Sequence, residues 1–353
     1  MYGDLTVEEA ISLPTAAFID LRSPSEYARG SIPGAVNIPL FSDQERHTIG
    51  LTYKEDRQAA HDTGLSFVAP KLPEIMEKIN RLRIHKTPVL YCWRGGLRSK
   101  NFYNFLAARG IPAYRLPGGY KAYRRFVLDQ LAAYRLQKPL FVLNGLTGTG
   151  KTEILHLLLG RGCPGIDLEG LACHRGSLFG HLGLQQTRGQ RDFDALLWNC
   201  LKKFEVAPYL LLEGEGRRIG PVYLPAFLFE AMQGGAHILL TASLDKRVER
   251  LLQEYTPTTP EEKEQVGEAI QSLEKYLGRK NMTRLLSLLK EENYAELVSL
   301  LCRRYYDRLY SESKPGQTDF VLTVDSSNSE KAADEIQDFV RQRLAGADIK
   351  SPV

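Results

Sequence analysis

Two segments carry residue types whose spacing does chemistry. The first is Gly145-Leu-Thr-Gly-Thr-Gly150-Lys151-Thr152, which fits G-x-x-x-x-G-K-[ST]. Its glycines let successive backbone N–H groups turn inward around an anion, and the following helix N-terminus adds positive potential. Gly145, Thr147, Gly148, Thr149, Gly150, Lys151 and Thr152 are the expected phosphate contacts, with Lys151 as a point charge and the Thr152 hydroxyl as a candidate Mg²⁺ ligand. The motif names a diphosphate or triphosphate and no particular nucleotide. A carboxylate near the end of a neighbouring strand would serve the metal; Glu213 is placed for that, with Glu215 and Asp167 as rivals.

The second segment is Tyr91-Cys92-Trp93-Arg94-Gly95-Gly96-Leu97-Arg98-Ser99. A cysteine ends an apolar run, glycines and two arginines follow, and then a helix begins. Loop amides and the helix dipole converge on the sulfur while Arg94 and Arg98 add charge, a setting that favours thiolate. The same cradle would bind a tetrahedral anion, so Cys92 reads as a nucleophile or a carrier of sulfur or selenium. Cys92 and Arg98 also have the spacing of cysteine-dependent phosphatases, so that reading stays open. The remaining cysteines promise less. Cys163, Cys173 and His174 lack the paired spacing of a zinc site, and Cys200 and Cys302 fall in apolar helical patterns that suit a core.

The elements that must position these loops follow from periodicity. AAFIDL (16–21), AVNIPL (35–40) and TPVLYC (87–92) read as strands, and 99–108 as a helix. Strand–loop–helix alternation predicts an α/β layer fold with a parallel sheet. After Pro117-Gly118-Gly119, residues 120–138 read as a basic, aromatic helix connecting two domains. A second series starts at Pro139, with strands PLFVLNG, PYLLLEG, HILLTA and FVLTVD, a helix over 153–159 and a mainly helical stretch over about 244–310. The expected boundaries are a first domain over 1–127, a connector over 128–138 and a second domain over 139–353.

Composition agrees with two globular domains. The chain has 353 residues, 43% of them hydrophobic and 25% charged, which excludes disordered and collagenous classes. Five cysteines, an odd number, suit a reducing compartment. The N-terminus lacks a signal-peptide pattern and no apolar run approaches a membrane span, so a cytoplasmic protein with no membrane partner is expected. The net charge of +4 is modest, but bases cluster. Lys121, Arg124 and Arg125 lie on the connecting helix, and Arg303, Arg304, Tyr305 and Tyr306 mix arginine with tyrosine. Both patches suit phosphate contact and base stacking on RNA.

Ile19-Asp20-Leu21-Arg22-Ser23-Pro24-Ser25-Glu26-Tyr27 and Gly30-Ser31-Ile32-Pro33-Gly34-Ala35-Val36-Asn37-Ile38-Pro39 resemble the rhodanese N-terminal signature. Cys92 sits where rhodaneses carry their persulfide cysteine, in a loop wide enough to admit a larger anion. Together with the phosphate loop, the segments YCWRGGLRS, LPGGYKAYRR, DLEGLACHRGSLFG and EGEGRRIG resemble the bacterial tRNA 2-selenouridine synthase family over nearly the whole chain. The resemblance implies a rhodanese-like parallel-sheet domain, then a P-loop NTPase-like α/β domain with a helical insertion. It implies a two-step reaction at the wobble 2-thiouridine of tRNA: a geranyl group passes from geranyl diphosphate to the sulfur, and selenium from selenophosphate then replaces the geranylated sulfur. The catalytic set would be Cys92, Arg94, Arg98 and Lys151, with Asp167, Glu169, His174, Arg175, Glu213, Glu215, Arg217 and Arg218 as candidates to line the second site.

No tightly bound cofactor is expected; geranyl diphosphate and selenophosphate are cosubstrates and Mg²⁺ a candidate ion. Partners would be the tRNA anticodon loop, the two cosubstrates and, as a candidate, the selenophosphate-producing enzyme. A geranyl chain needs an apolar channel, which nothing in the sequence locates. Competing readings are a nucleotide-dependent sulfurtransferase, a kinase or phosphatase, and a non-catalytic module using the phosphate loop as an anion dock.

Overall fold

The computed structural model describes residues 3–175, 187–313 and 319–348. The chain forms two compact units. One comprises Met1–Ala133 with Gly189–Asn199, the other Tyr134–Arg188 with Cys200–Val353.

The first unit is built on β1 (Ala16–Asp20), β2 (Val36–Asn37), β3 (Thr87–Tyr91) and β4 (Tyr114–Arg115), an all-parallel sheet in the order β2-β1-β3-β4. Ile19, Leu21, Leu90, Phe102 and Leu106 form its core with Ile75 and Ile79. β2 is shorter than the expected strand over 35–40, because Pro39 has no N–H to continue the ladder. The helices Asp43–Glu55 and Arg57–Val68 carry no long apolar periodicity. They are started instead by caps: Ser42 with Glu45 in a capping box, and Asp56 accepting from two backbone N–H groups.

The helix expected over 120–138 spans Gly119–Ala133. It is no connector. Tyr120, Tyr123, Val127 and Leu131 bury one face within the first unit, so the expected 128–138 linker is split by burial. The first unit also takes in the start of the helix Gln190–Lys203, where Arg124 pairs with Asp194 at 2.6 Å and Phe126 meets Trp198 edge-on. That return of the chain carries no local sequence signal.

The second unit holds β5 (Leu140–Asn144), β6 (Gly165–Ile166), β7 (Leu210–Glu213), the small antiparallel ribbon β8 (Arg218–Ile219) and β9 (Val222–Tyr223), β10 (Ala236–Thr241) and β11 (Phe320–Asp325). The five-stranded parallel sheet runs β11-β10-β5-β7-β6. Every residue of β5 is buried, as a central strand covered on both faces requires. The chain fills one side of β5 and then the other, so the carboxyl end of β5 lies at the topological switch point where open α/β sheets bind ligands. The helical stretch after Ser243 is a run of separate helices with its own leucine core, including Ile270, Leu285, Leu288 and Leu301.

Candidate functional sites in each unit

β3 delivers Cys92 to a loop that the following segments clamp. The sulfur is buried, 3% exposed, and lies 3.3 Å from the Ser99 hydroxyl on the helix Leu97–Ala108. Backbone N–H groups of Tyr120 and Lys121 donate to the carbonyls of Cys92 and Trp93 at 2.9 Å each, and Arg115 Nη1 donates to the Gly95 carbonyl at 3.0 Å. Two of the N-terminal N–H groups of Gly119–Ala133, those of Tyr120 and Lys121, are thus spent on the cysteine loop. Gly119 is in the left-handed region, φ +55°, and a Cβ there would overlap the Cys92 carbonyl oxygen.

The two arginines of the loop part company. Arg94 is exposed. Arg98 makes a two-pronged pair with Glu26, Nη1 to Oε2 at 2.5 Å and Nη2 to Oε1 at 3.0 Å. Burial raises the Glu26 carboxyl, but the Arg98 hydrogen bonds and charge outweigh it and hold the group below its ordinary 4.5. Much of the Arg98 charge is therefore balanced inside the protein.

Behind the loop lies a buried pair that no catalytic motif of the sequence marks. Arg22 and Asp20 are both fully buried, Nη2 to Oδ2 at 2.6 Å, and Arg22 also donates to the Gly30 carbonyl at 2.8 Å. The guanidinium lies 4.2 Å from the Tyr120 ring centroid, 5.8 Å from that of Trp93 and 5.9 Å from that of Tyr91. A charge this deep needs its carboxylate and its ring faces together. The Asp-Leu-Arg triplet carried the signal, but only as part of a resemblance.

In the second unit the phosphate loop follows β5 and enters the helix Lys151–Gly160. Lys151 Nζ donates to the Gly145 carbonyl at 3.1 Å, and the buried Thr149 hydroxyl donates to the Leu146 carbonyl at 2.9 Å. Two arginines one turn apart on the helix Leu244–Tyr255 brace the loop from behind. Arg247 Nε donates to the Thr147 carbonyl at 2.8 Å while its fork holds Asp307; Arg250 Nη1 donates to the Thr149 carbonyl at 3.1 Å and Nη2 to the Ser326 carbonyl at 2.6 Å. Neither was foreseen, since both sit about a hundred residues away in an ordinary amphipathic pattern.

Four carboxylates gather beside this loop. The Thr152 hydroxyl donates to Glu169 Oε2 at 3.0 Å. Burial, then the neighbouring Glu215, pushes Glu169 up to about 8 despite Lys151. Glu213 is fully buried; one oxygen accepts from the Leu168 N–H at 3.0 Å and Oε1 has no partner. Burial and the charges of Asp167, Glu169 and Glu215 raise it far above the usual range. Asp167 caps the helix Leu168–Ala172 and meets His156 at 2.7 Å. The expected metal carboxylate, Glu213, is thus held inward, and Glu169 is the acid that meets Thr152.

Among the described residues no group of three or more His, Cys, Asp or Glu side chains is arranged as a metal cage. Mg²⁺ does not need one, because it binds through one or two protein oxygens plus phosphates and water. The Thr152 hydroxyl and Glu169, which meet at 3.0 Å beside the phosphate loop, give such an ion oxygen donors, with Glu169 giving up the proton that burial favours.

The ring of His174 rests on Gly220, where a Cβ would overlap it, so the 167–175 and 213–220 motifs meet. Arg175 is half-buried, Glu215 half-buried, and Arg217 and Arg218 exposed, with Arg218 donating to the Gly220 carbonyl at 2.7 Å. Residues 176–180 of the longer motif lie outside the described residues.

The RNA candidates divide. Lys121, Arg125, Arg303 and Arg304 are exposed. Arg124 is spent on Asp194, a pairing no local pattern announces. Tyr305 and Tyr306 are half-buried on the leucine core of the helical region, ring centroids 5.1 Å apart, so packing, not an open stacking face, holds them.

Fold and loops together define a rhodanese-like unit joined to a P-loop unit. A rhodanese-like domain model matches residues 6–126, and the model of the tRNA 2-selenouridine synthase AAA domain matches residues 138–345. Relatives named tRNA 2-selenouridine synthase include one from Cupriavidus pinatubonensis, 36% identical over 93% of this chain and 95% of that one. Another, from Cupriavidus necator, is 37% identical over 88% of this chain and 92% of that one. A solved N-terminal domain from Clostridium difficile 630 matches with 38% identity and a TM-score of 0.35, covering 35% of this chain and 98% of that domain. The chain belongs to the tRNA 2-selenouridine synthase family, and so to the enzymes of tRNA modification. No helix among the described residues is long and apolar enough to cross a membrane.

Proposed function

We propose that this enzyme converts the wobble 2-thiouridine of tRNA to 2-selenouridine through an S-geranylated intermediate. In the first step the thiouridine sulfur attacks C1 of geranyl diphosphate. The C–O bond breaks, its electron pair leaves with the diphosphate, and the N3 proton is lost to that leaving group. The inward N–H groups and Lys151 stabilise the charge that builds on the departing diphosphate. Thr152 and Glu169 would hold Mg²⁺, which supplies further neutralising charge when bound.

In the second step the selenium of selenophosphate bonds to C2 and the C2–S bond breaks toward sulfur. Water takes the phosphoryl group as phosphate, one proton goes to N3 and one to the geranylthiol. S-alkylation makes the sulfur a better leaving group, which is why a prenyl group would be installed only to be lost. Cys92, in its amide-rich loop, handles the selenium donor, with exposed Arg94 as the nearby cation.

The observation that carries this reading is the presence in one chain of a buried cysteine at the end of a parallel strand, followed by exposed Arg94, and of a G-x-x-x-x-G-K-T loop carrying Lys151 at the end of another. Mass analysis of nucleosides from tRNA incubated with geranyl diphosphate and selenophosphate tests it. S-geranyl-2-thiouridine with the first reagent alone and 2-selenouridine with both is the expected result. Neither product, with RNA-independent ATP or phosphomonoester hydrolysis instead, would overturn it.

A further inference from the structure

The first unit holds a cavity of about 400 Å³. Its buried lining is wholly apolar: Leu40, Phe41, Ala60, Gly64 and Phe102. Of its polar members, Gln58, His61, Asp62 and Asn101 are exposed and stand at the rim, and Arg98 is half-buried with its charge met by Glu26. The space exists because two helices cover it thinly. Asp43–Glu55 buries no residue, and Arg57–Val68 buries only Ala60 and Gly64. Interiors are normally close-packed, and an apolar space of this size with a polar rim has the build of a ligand pocket.

Its position gives the occupant. One helix, Leu97–Ala108, serves both the cavity and the sulfur. Ser99 meets Cys92 Sγ at 3.3 Å, while Leu97, Arg98, Asn101, Phe102 and Phe105 line the cavity. An apolar cavity of about 150 Å³ takes the six carbons of benzene, so ten carbons need roughly 250 Å³. The cavity exceeds that. The apolar pocket beside Thr147 in the second unit, about 40 Å³, does not.

We propose that the cavity seats the geranyl chain of the S-geranylated base while selenium displaces the sulfur. The inference rests on the two-step reading above and adds to it the place of the chain. The chain is held when the C2–S bond breaks, and it departs as geranylthiol.

A Cβ on Gly64 would lie 3.5 Å from the Phe41 ring and 3.8 Å from Ile49 Cδ1, ordinary contact, so Gly64→Leu fits at its first carbon and fills the cavity with the rest. With the full chain, binding is measured for anticodon stem-loops carrying 2-thiouridine or S-geranyl-2-thiouridine. The unsubstituted protein is expected to prefer the geranylated RNA at least tenfold. Gly64→Leu is expected to lose that preference without weakening binding of the thiouridine RNA, and Gly64→Ala to keep it. Phe105→Trp, from the facing helix, repeats the test should Gly64→Leu not fold.

A tenfold preference that survives both fillings overturns the assignment. The two-step reading fails separately. If the unsubstituted protein does not convert S-geranyl RNA to selenouridine RNA, that reading falls, while a preference abolished by filling still upholds the cavity as a prenyl site.

Discussion

Arg98 and Glu26 grip each other through both prongs, at 2.5 and 3.0 Å, with side chains only 15% and 20% exposed. Removing Glu26 leaves Arg98 partly buried without its carboxylate, and removing Arg98 leaves Glu26 only the Ser23 N–H and a looser approach of Arg46 at 3.9 Å, each at a cost of roughly 1–3 kcal/mol. Arg98→Ala and Glu26→Gln should each destabilise the protein to denaturant, and the double variant should lose less than their sum. The folded Glu26 carboxyl lies below its ordinary 4.5. Its contribution is therefore present above about pH 4.5 and lost as pH falls through the folded value, and Glu26→Gln removes that acid limb. Additive losses would mean that the pair contributes nothing.

The two cradles predict separable defects. Cys92→Ala should leave S-geranylation at the parental rate and abolish selenation of geranylated RNA. Lys151→Ala should do the reverse, with geranylation falling on the order of 100-fold, the loss typical of removing one charge-stabilising group. Single-turnover assays of each step, read by nucleoside mass, check both. A Lys151→Ala protein that prenylates normally would remove the phosphate loop from the first step.

Arg247 acts on the phosphate loop from outside it. Arg247→Lys keeps the charge but loses the planar fork shared between the Thr147 carbonyl and Asp307. The KM for geranyl diphosphate should rise about tenfold with selenation of pre-geranylated RNA unchanged, since loop geometry and not chemistry is disturbed. Unaltered KM would show that the loop holds its shape without the brace.

Glu169 makes stability depend on pH. With its folded value raised to about 8 from an ordinary 4.5, the folded protein keeps a proton that the unfolded chain releases. Stability should fall as pH rises from about 4.5 to about 8. Glu169→Gln, which mimics the neutral form, should match the parent near pH 5 and melt higher at pH 8. Melting curves in the absence of divalent ions read the difference, and parallel slopes would refute the assignment.

Gly119→Ala should damage the cysteine loop more than its dihedral alone explains. Both Gly110 and Gly119 have positive φ, but a Cβ on Gly110 meets nothing within 4 Å while one on Gly119 overlaps the Cys92 carbonyl. Gly110→Ala should cost about 1 kcal/mol of left-handed strain. Gly119→Ala should exceed it clearly in denaturant unfolding and lose selenation. Equal costs would mean that the loop moves aside freely.

Most of this fold was legible because its strands are local patterns. PLFVLNG and TPVLYC are apolar runs bounded by turn residues, and they became β5 and β3. The helical hairpin over 43–68 was missed because it buries almost nothing, so no apolar stripe marks it. The buried face of the helix Gly119–Ala133, made by Tyr120, Tyr123, Val127 and Leu131, is hidden in the sequence by the bases that alternate with it.

The sequence by itself determined the two reactive loops, since each is a contiguous motif whose chemistry depends on backbone turns and a helix start a few residues away. Tertiary structure alone decided which charges those loops possess. Arg98 is balanced by a residue 72 positions earlier, Arg124 by one 70 positions later, and the phosphate loop is braced by arginines about a hundred residues downstream. Charge pairing depends on distance in space, which folding sets through the packing of distant apolar faces and which no local spacing encodes.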